Sequence, residues 1–370
     1  MKEKLNLNDQ IQTLLSNYGQ RGLETAKSTI YDKNVPIPVR EVLKYFIEET
    51  WPNTHHPALI ALCCEAVGGK ADVTRKIGAA LVLLTGAADI HDDIIDKSKT
   101  KGGKRTVYDK FDKDLVLLAG DALLFKGLLF LHETCEELPP RKRRAIFSSI
   151  EQSFFKIGNA AIGERGFKAK PGLDPKKYRK IIAAKGAVSG ACAEIGAVIG
   201  DGKIKEVNAL RHFGRTLGIL MTVRNEFADL RDSTEMKNRM KNEVPPLPLL
   251  YALQDVTVKP ELTSLLQGRM TKQKAERVAE IVFGTEQVQE LEKEMLSMKK
   301  IEEKLLETIR GKKEPFKLLL QLSTDYLLPE NTWMERALFD GLDCLPSNLT
   351  LHFTAERSAP LGQALSAWDV

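Results

Sequence analysis

GAALVLLTGAADIHDDIID, residues 78–96, holds the key to the chain. From Gly78 to Ala88 no side chain is charged, and small or aliphatic residues cover every side of a helix, as expected of one buried all round. Four aspartates then crowd into the last eight positions. Asp92, Asp93 and Asp96 stand at i, i+1 and i+4, which stacks Asp92 and Asp96 on one helical face. A solvated acidic helix end is the ordinary explanation for an aspartate run, but this run closes a buried helix. Hard oxygen donors grouped in this way suit Mg2+, which takes one or two carboxylates and completes its shell with water and phosphate oxygens.

Outward from this segment, apolar residues recur at helical spacing at roughly 40–49, 57–67, 74–96, 114–133, 142–163, 175–199, 207–230, 245–253 and 274–327. Turn signals separate them: Gly68-Gly69, Gly102-Gly103, Pro139-Pro140, Pro171-Gly172, Gly200-Asp201-Gly202 and Pro245-Pro246. Almost nothing alternates like a strand, so the expected class is all-α. Neither a linker nor a repeat interrupts the chain before about residue 328, which predicts one helical domain over 1–328 and an appendage over 329–370 carrying Trp333 and Trp368.

Composition excludes several function classes. The 370 residues carry 55 Lys+Arg against 50 Asp+Glu, a net +5, with 43% hydrophobic and 28% charged residues. No basic block argues for nucleic acid. Cys63, Cys64, Cys135, Cys192 and Cys344 form no C-x-x-C and no zinc-ligand cluster, so neither a disulfide framework nor a structural metal is expected. The first residues, MKEKLNLNDQIQ, lack the apolar core of a signal peptide, and a cytoplasmic location is the expectation. Residues 181–200 have membrane-helix length but carry Lys185 and Glu194, and read as a core helix rather than a transmembrane segment. Asn348-Leu349-Thr350 matches a glycosylation sequon by chance.

A second polar group ends another apolar run, FGRTLGILMTVRNEFADLRD, where Asn225, Glu226 and Asp229 repeat the i, i+1, i+4 spacing. Alone it is commonplace helix-end polarity. Paired with the first cluster it predicts two acidic poles facing each other.

With DIHDDIID at 89–96, AGDALL at 119–124, AAKGA at 183–187 and LGILMTVRNEFAD at 217–229, the sequence resembles the trans-isoprenyl diphosphate synthase (polyprenyl synthetase) family over roughly residues 35–328. The resemblance implies the isoprenoid synthase (class I terpenoid synthase) helical barrel around a central apolar cavity, and a homodimer. It implies Mg2+ on Asp92, Asp93, Asp96, Asn225, Glu226 and Asp229, bridging to the diphosphate of an allylic prenyl substrate. Lys101, Lys185 and Lys237 are the implied diphosphate contacts, with Asp92, Asp93 and Lys185 the implied catalytic set. Lys185, embedded in an apolar helix, carries a burial cost that needs a reason.

The sequence departs from the family on one side. The family's DDxxD is Asn225-Glu226-x-x-Asp229, its preceding Gln is Thr222, and the Thr of its KT pair is Gly186. Where isopentenyl diphosphate, the second substrate, would bind, the family's Lys and Arg are Asn53 and His56, a His is Thr85, and the second Arg of RRG is Gly102. Arg105 and His55 are the available replacements; Gly68-Gly69-Lys70 lies out of register.

This one-sided loss makes the leading expectation a terpene-synthase-like enzyme that ionises an allylic diphosphate without isopentenyl diphosphate. The alternatives are a chain-elongating prenyltransferase and a non-catalytic partner subunit. Ala87 and Ala88, with Leu84 one turn below, are the implied cavity floor, left open either for a long substrate or for close helix packing. His91 reads as a packing residue, Asp89 as part of the acidic rim, and Met221, Met236 and Met240 as packing or surface side chains.

Overall fold

The computed structural model describes residues 6–33, 35–101, 103–168, 170, 172–324 and 368. Sixteen α-helices succeed one another among them. The first four are α1 (Leu7–Ile30), α2 (Ile37–Tyr45), α3 (His55–Ala66) and α4 (Arg75–Asp96). A hairpin of β1 (Thr100–Lys101) and β2 (Lys104–Arg105) follows, then α5 (Val107–Lys110), α6 (Lys113–Glu136), α7 (Pro140–Arg165), α8 (Pro175–Lys185) and α9 (Ala187–Ile199). The remainder is α10 (Ile204–Asp229), α11 (Ser233–Asn242), α12 (Leu247–Ala252), α13 (Lys259–Leu266), α14 (Lys272–Phe283), α15 (Glu286–Leu305) and α16 (Glu314–Thr324).

The uniform apolarity of α4 has a structural cause: the helix is wedged between two cores. Ile77, Ala80, Leu81 and Leu84 belong to the main core with α3, α9 and α10. Ala79, Val82, Leu83, Ala87 and Ile90 belong to a second core with α1, α2 and α6. Each fully buried aliphatic side chain contributes about 1.5–3 kcal/mol, so this helix is anchored along its whole length. It stops abruptly because Lys97 turns left-handed at φ 56°, with Ser98 N donating back to Asp93 O at 3.0 Å. That stop sets the aspartates in the last two turns.

On the far side, α3 crosses α9 so closely that a Cβ on Gly196 would lie 2.2 Å from Ile60 O. The expected core helix over 181–200 is two helices meeting at Gly186, where a side chain would strike Arg215 O of α10 at 2.6 Å. Among the described residues, two stretches could cross a membrane by length and composition, Lys113–Glu136 and Pro175–Ile199. The sequence reading names only the second; α6 is the other, and only 33% of its apolar window is buried.

One long helix was not among the expected runs. The inward face of α1 is spelled Ile11, Leu15, Gly19, Gly22, Leu23, Ala26 and Ile30. Its glycines fit against Thr54 and Pro57, a close-packing signal that hydropathy does not register. Cys63, Cys64, Cys135 and Cys192 are free and buried. Of the appendage, Trp333, Cys344 and the sequon lie outside the described residues; Trp368 is buried over the Arg179 guanidinium of α8, 4.1 Å from ring centre.

Candidate functional site

Four carboxylates at the C-terminal end of a helix oppose its dipole, so they call for cations from elsewhere in the chain. The hairpin after α4 folds Lys101 back onto Asp89, with its ammonium 4.0 Å from Asp93 Oδ1 and over the Trp51 ring at 5.5 Å. Lys168, beyond α7, donates to Asp96 Oδ1 at 2.6 Å and to Ile95 O at 3.1 Å. Lys185, at the end of α8, pairs with Glu164 Oε2 at 2.7 Å.

The electrostatics match this crowding. Burial opposes the Lys101 charge, but Asp89 and Asp93 outweigh it and hold the group above the usual lysine range. Lys185 is raised in the same way: burial is overcome by Glu164, Asp92 and, more distantly, Glu226. Glu164 is held below the ordinary carboxylate value because Lys185 defeats its burial. Burial, offset by Lys101 and reinforced by the other aspartates, pushes Asp93 up to about 8. Asp92 still meets solvent, yet the crowding of protein around it, with Lys185 opposing, brings it to about 6.

The second pole is closed. Glu226 Oε1 accepts from Tyr178 OH at 2.9 Å and from Arg239 Nη2 at 2.9 Å. Its Oε2 accepts from Arg239 Nη2 at 2.7 Å and from Leu247 N at 2.8 Å. Asp229 Oδ2 accepts from Arg239 Nη1 at 2.7 Å, and Arg239 Nε donates to Val244 O at 2.7 Å. Asn225 is exposed. The two poles lie within electrostatic range of shared groups: Lys185 senses Asp92 and Glu226, and Glu243, which burial raises to about 7 against the pull of Arg239, senses Asp96 and Asp229.

The donor chemistry decides where a divalent cation fits. Asp93 Oδ2 and Asp89 Oδ2 are buried without a hydrogen-bond partner, a costly state that a bound cation would relieve. Among the described residues no three His, Cys, Asp or Glu side chains converge into a closed metal cage. Mg2+ needs none, since it keeps water and phosphate oxygens in its shell. At Glu226 the residues do not fit: both oxygens are already occupied. In this structure Glu226, an implied metal ligand, is the partner of Arg239.

Other implied residues fall differently from expectation. Lys237 is exposed, on the side of α11 opposite Arg239, because residues two apart lie about 200° around a helix. Ala88 and Leu84 do lie below Asp92 on one face of α4, but Ala87 is packed in the second core and leaves the floor set. His91 lies against Gly120, with Nε2 3.2 Å from Asp121 Oδ1, as a packing residue should. Sequence reasoning missed Arg239, Lys168, Glu164 and Tyr178. In KNRMKN nothing distinguishes Arg239 from its basic neighbours.

On the other flank, Asn53, His56 and Thr85 form a neutral network. Asn53 Nδ2 and His56 Nδ1 are 2.6 Å apart, and Thr85 Oγ1 lies 3.4 Å from the same ring nitrogen while donating to Leu81 O at 2.6 Å. Burial lowers His55 to about 4 and His56 well below its ordinary value, so both are uncharged at neutral pH. Arg105 is engaged with Asp109, and Lys104 with Glu49.

Comparison with known proteins adds three findings. The family model described as polyprenyl synthetase matches residues 40–283. A short chain isoprenyl diphosphate synthase of Methanothermobacter thermautotrophicus is 27% identical over 180 residues, 48% of this chain and 54% of that protein. Geranylgeranyl pyrophosphate synthase 11, chloroplastic, of Arabidopsis thaliana is 28% identical over 264 residues, 66% of this chain and 68% of that one. The chain thus spans about half to two thirds of the length of these relatives. In fold, it is similar to the crystal structure of geranylgeranyl pyrophosphate synthetase from Pyrococcus horikoshii, with a TM-score of 0.73 at 20% identity, covering 86% of this chain and 99% of that one.

Proposed function

Because the chain belongs to the polyprenyl synthetase family, with its all-α isoprenoid synthase fold, we propose that it is a Mg2+-dependent prenyltransferase that lengthens an allylic prenyl diphosphate with isopentenyl diphosphate. The relatives favour this alternative over the terpene-synthase-like expectation, since those named are isoprenyl or geranylgeranyl diphosphate synthases. The observation that carries the chemistry is the end of α4: the exposed Asp92 and the unpartnered Asp93 Oδ2, flanked by Lys101 and Lys185.

Asp92 and Asp93, with Asp96 on the same helix end, would hold Mg2+, which would supply positive charge to a departing diphosphate. Lys185, fixed by Glu164, faces Asp92 and is placed to contact the same diphosphate. Lys101 holds Asp89 and Asp93 in place from the hairpin. Preset charges of this kind stabilise a developing diphosphate anion without having to reorganise during the reaction. On the face of α4 below Asp92, the half-buried Ala88 and the buried Leu84 would lie along the path of a prenyl chain.

A second reading, ionisation without isopentenyl diphosphate to give a terpene hydrocarbon or alcohol, is favoured by the neutral Asn53–His56–Thr85 network. The test is incubation with C10, C15 and C20 allylic diphosphates and Mg2+, with and without isopentenyl diphosphate, followed by mass spectrometry. Longer prenyl diphosphates formed only when isopentenyl diphosphate is present support the prenyltransferase. Hydrocarbon or alcohol formed without it replaces that reading with the second.

The chain is further proposed to act as a homodimer. One helix, α6, exposes Leu117, Leu118, Phe125, Leu128 and Leu129, an apolar face that a second copy of the chain would cover. Sedimentation of the purified chain at twice its 41.3 kDa mass, reduced to one by Phe125→Glu, is the expected result.

A further inference from the structure

The two acidic poles differ in one property that the prenyltransferase reading does not itself require. An ionised carboxylate has about four lone-pair sites. Those of Glu226 are taken by Tyr178 OH, two contacts from Arg239 Nη2, and Leu247 N. The Arg239 guanidinium is equally committed, to Glu226, Asp229 and Val244 O, with Tyr178 OH 3.1 Å from Nη2 and Glu243 Oε2 3.4 Å from Nε. Only 6% of Arg239 is exposed, so it has no solvent to move into. A divalent ion at Glu226 would have to break this set and then sit beside a buried positive charge.

We infer that Arg239 is the resident cation of the second carboxylate cluster, so that divalent metal does not bind this chain through Glu226. The inference rests on the proposed metal dependence of the first cluster. Arg239 and Glu226 also fix Tyr178, whose hydroxyl donates to Glu226 Oε1 at 2.9 Å and accepts from Arg239 Nη2 at 3.1 Å. A guanidinium is suited to this place because it stays charged and its planar fork can engage two carboxylates at once.

The test counts Mn2+ bound per full-length chain in the presence of inorganic pyrophosphate, by calorimetry and by the free-Mn2+ electron paramagnetic resonance signal. Glu226→Gln is expected to leave the count unchanged, whereas Arg239→Gln adds one Mn2+, and the Arg239→Gln/Glu226→Gln pair returns it to the wild-type value. Loss of a bound Mn2+ in Glu226→Gln, or no gain in a folded Arg239→Gln, overturns the inference. If Arg239→Gln does not fold, as judged by circular dichroism, Glu226→Gln decides alone, because it keeps Arg239 in place. Asp93→Asn separates the two claims: a count unaffected by that change defeats the metal role of the first cluster, independently of how the Arg239 variants behave.

Discussion

The ends of α4 and α10 carry polar residues at the same i, i+1, i+4 spacing and have opposite fates. At the first, a left-handed Lys97 and a short hairpin lead the chain away, and the cations that return, Lys101 and Lys168, leave Asp92 open and Asp93 Oδ2 unpartnered. At the second, α11 packs straight back and drives Arg239 into the cluster. Spacing along one helix places oxygens side by side. What the next element brings decides whether those oxygens bind a ligand or the protein itself.

The largest effect should come from the open pole. Asp93→Asn is expected to lower product formation on the order of 10^3-fold, about 4 kcal/mol of transition-state stabilisation, with the urea midpoint little reduced. A fall in activity of less than tenfold would remove the distinction between the poles. The closed pole should respond in stability instead. Arg239→Met removes the counter-charge of the buried Glu226 and should cost about 3 kcal/mol in urea unfolding, much of it restored by adding Glu226→Gln. An unchanged unfolding midpoint would show that the cluster opens readily to water.

The neutral flank gives a smaller, pH-dependent effect. His55 and His56 are held below their unfolded value near 6.5, His55 at about 4, so the unfolded chain takes up protons that the folded one refuses. Stability is complete above about pH 6.5 and declines as pH falls toward 4, by about 3 kcal/mol at most for His55. A His55→Gln/His56→Gln variant should flatten the dependence over that range in thermal melts. The smallest effect is expected at Lys237: with its side chain exposed, Lys237→Ala should change stability by under about 0.5 kcal/mol and leave turnover within about twofold. A hundredfold loss would give Lys237 the diphosphate contact that the resemblance implies.

Much of the fold was legible because long buried helices write themselves as uncharged runs. The run at 74–96 is α4, 114–133 lies within α6, and 207–230 nearly coincides with α10. The exceptions have reasons. α1 buries glycines and single aliphatics rather than a continuous stripe, and α11 is almost wholly polar, held by the Asp232 cap and by Arg239. At the site, Asp92, Asp93, Asp96, Lys101 and Lys185 were legible from motif and position, and the structure gathers them. Lys168, Glu164, Tyr178 and Arg239 were not, since each meets its partner across separate elements.

Sequence alone determined the all-helical class, the family resemblance and the position of both clusters, because helical periodicity and local spacing are properties of neighbours along the chain. Only the tertiary structure decided which cluster is open, that Ala87 belongs to a second core, and that His55 and His56 are neutral. Each of those outcomes depends on burial and on the charge brought from a distant segment, and a buried carboxylate's behaviour is set by the nearest cation in space.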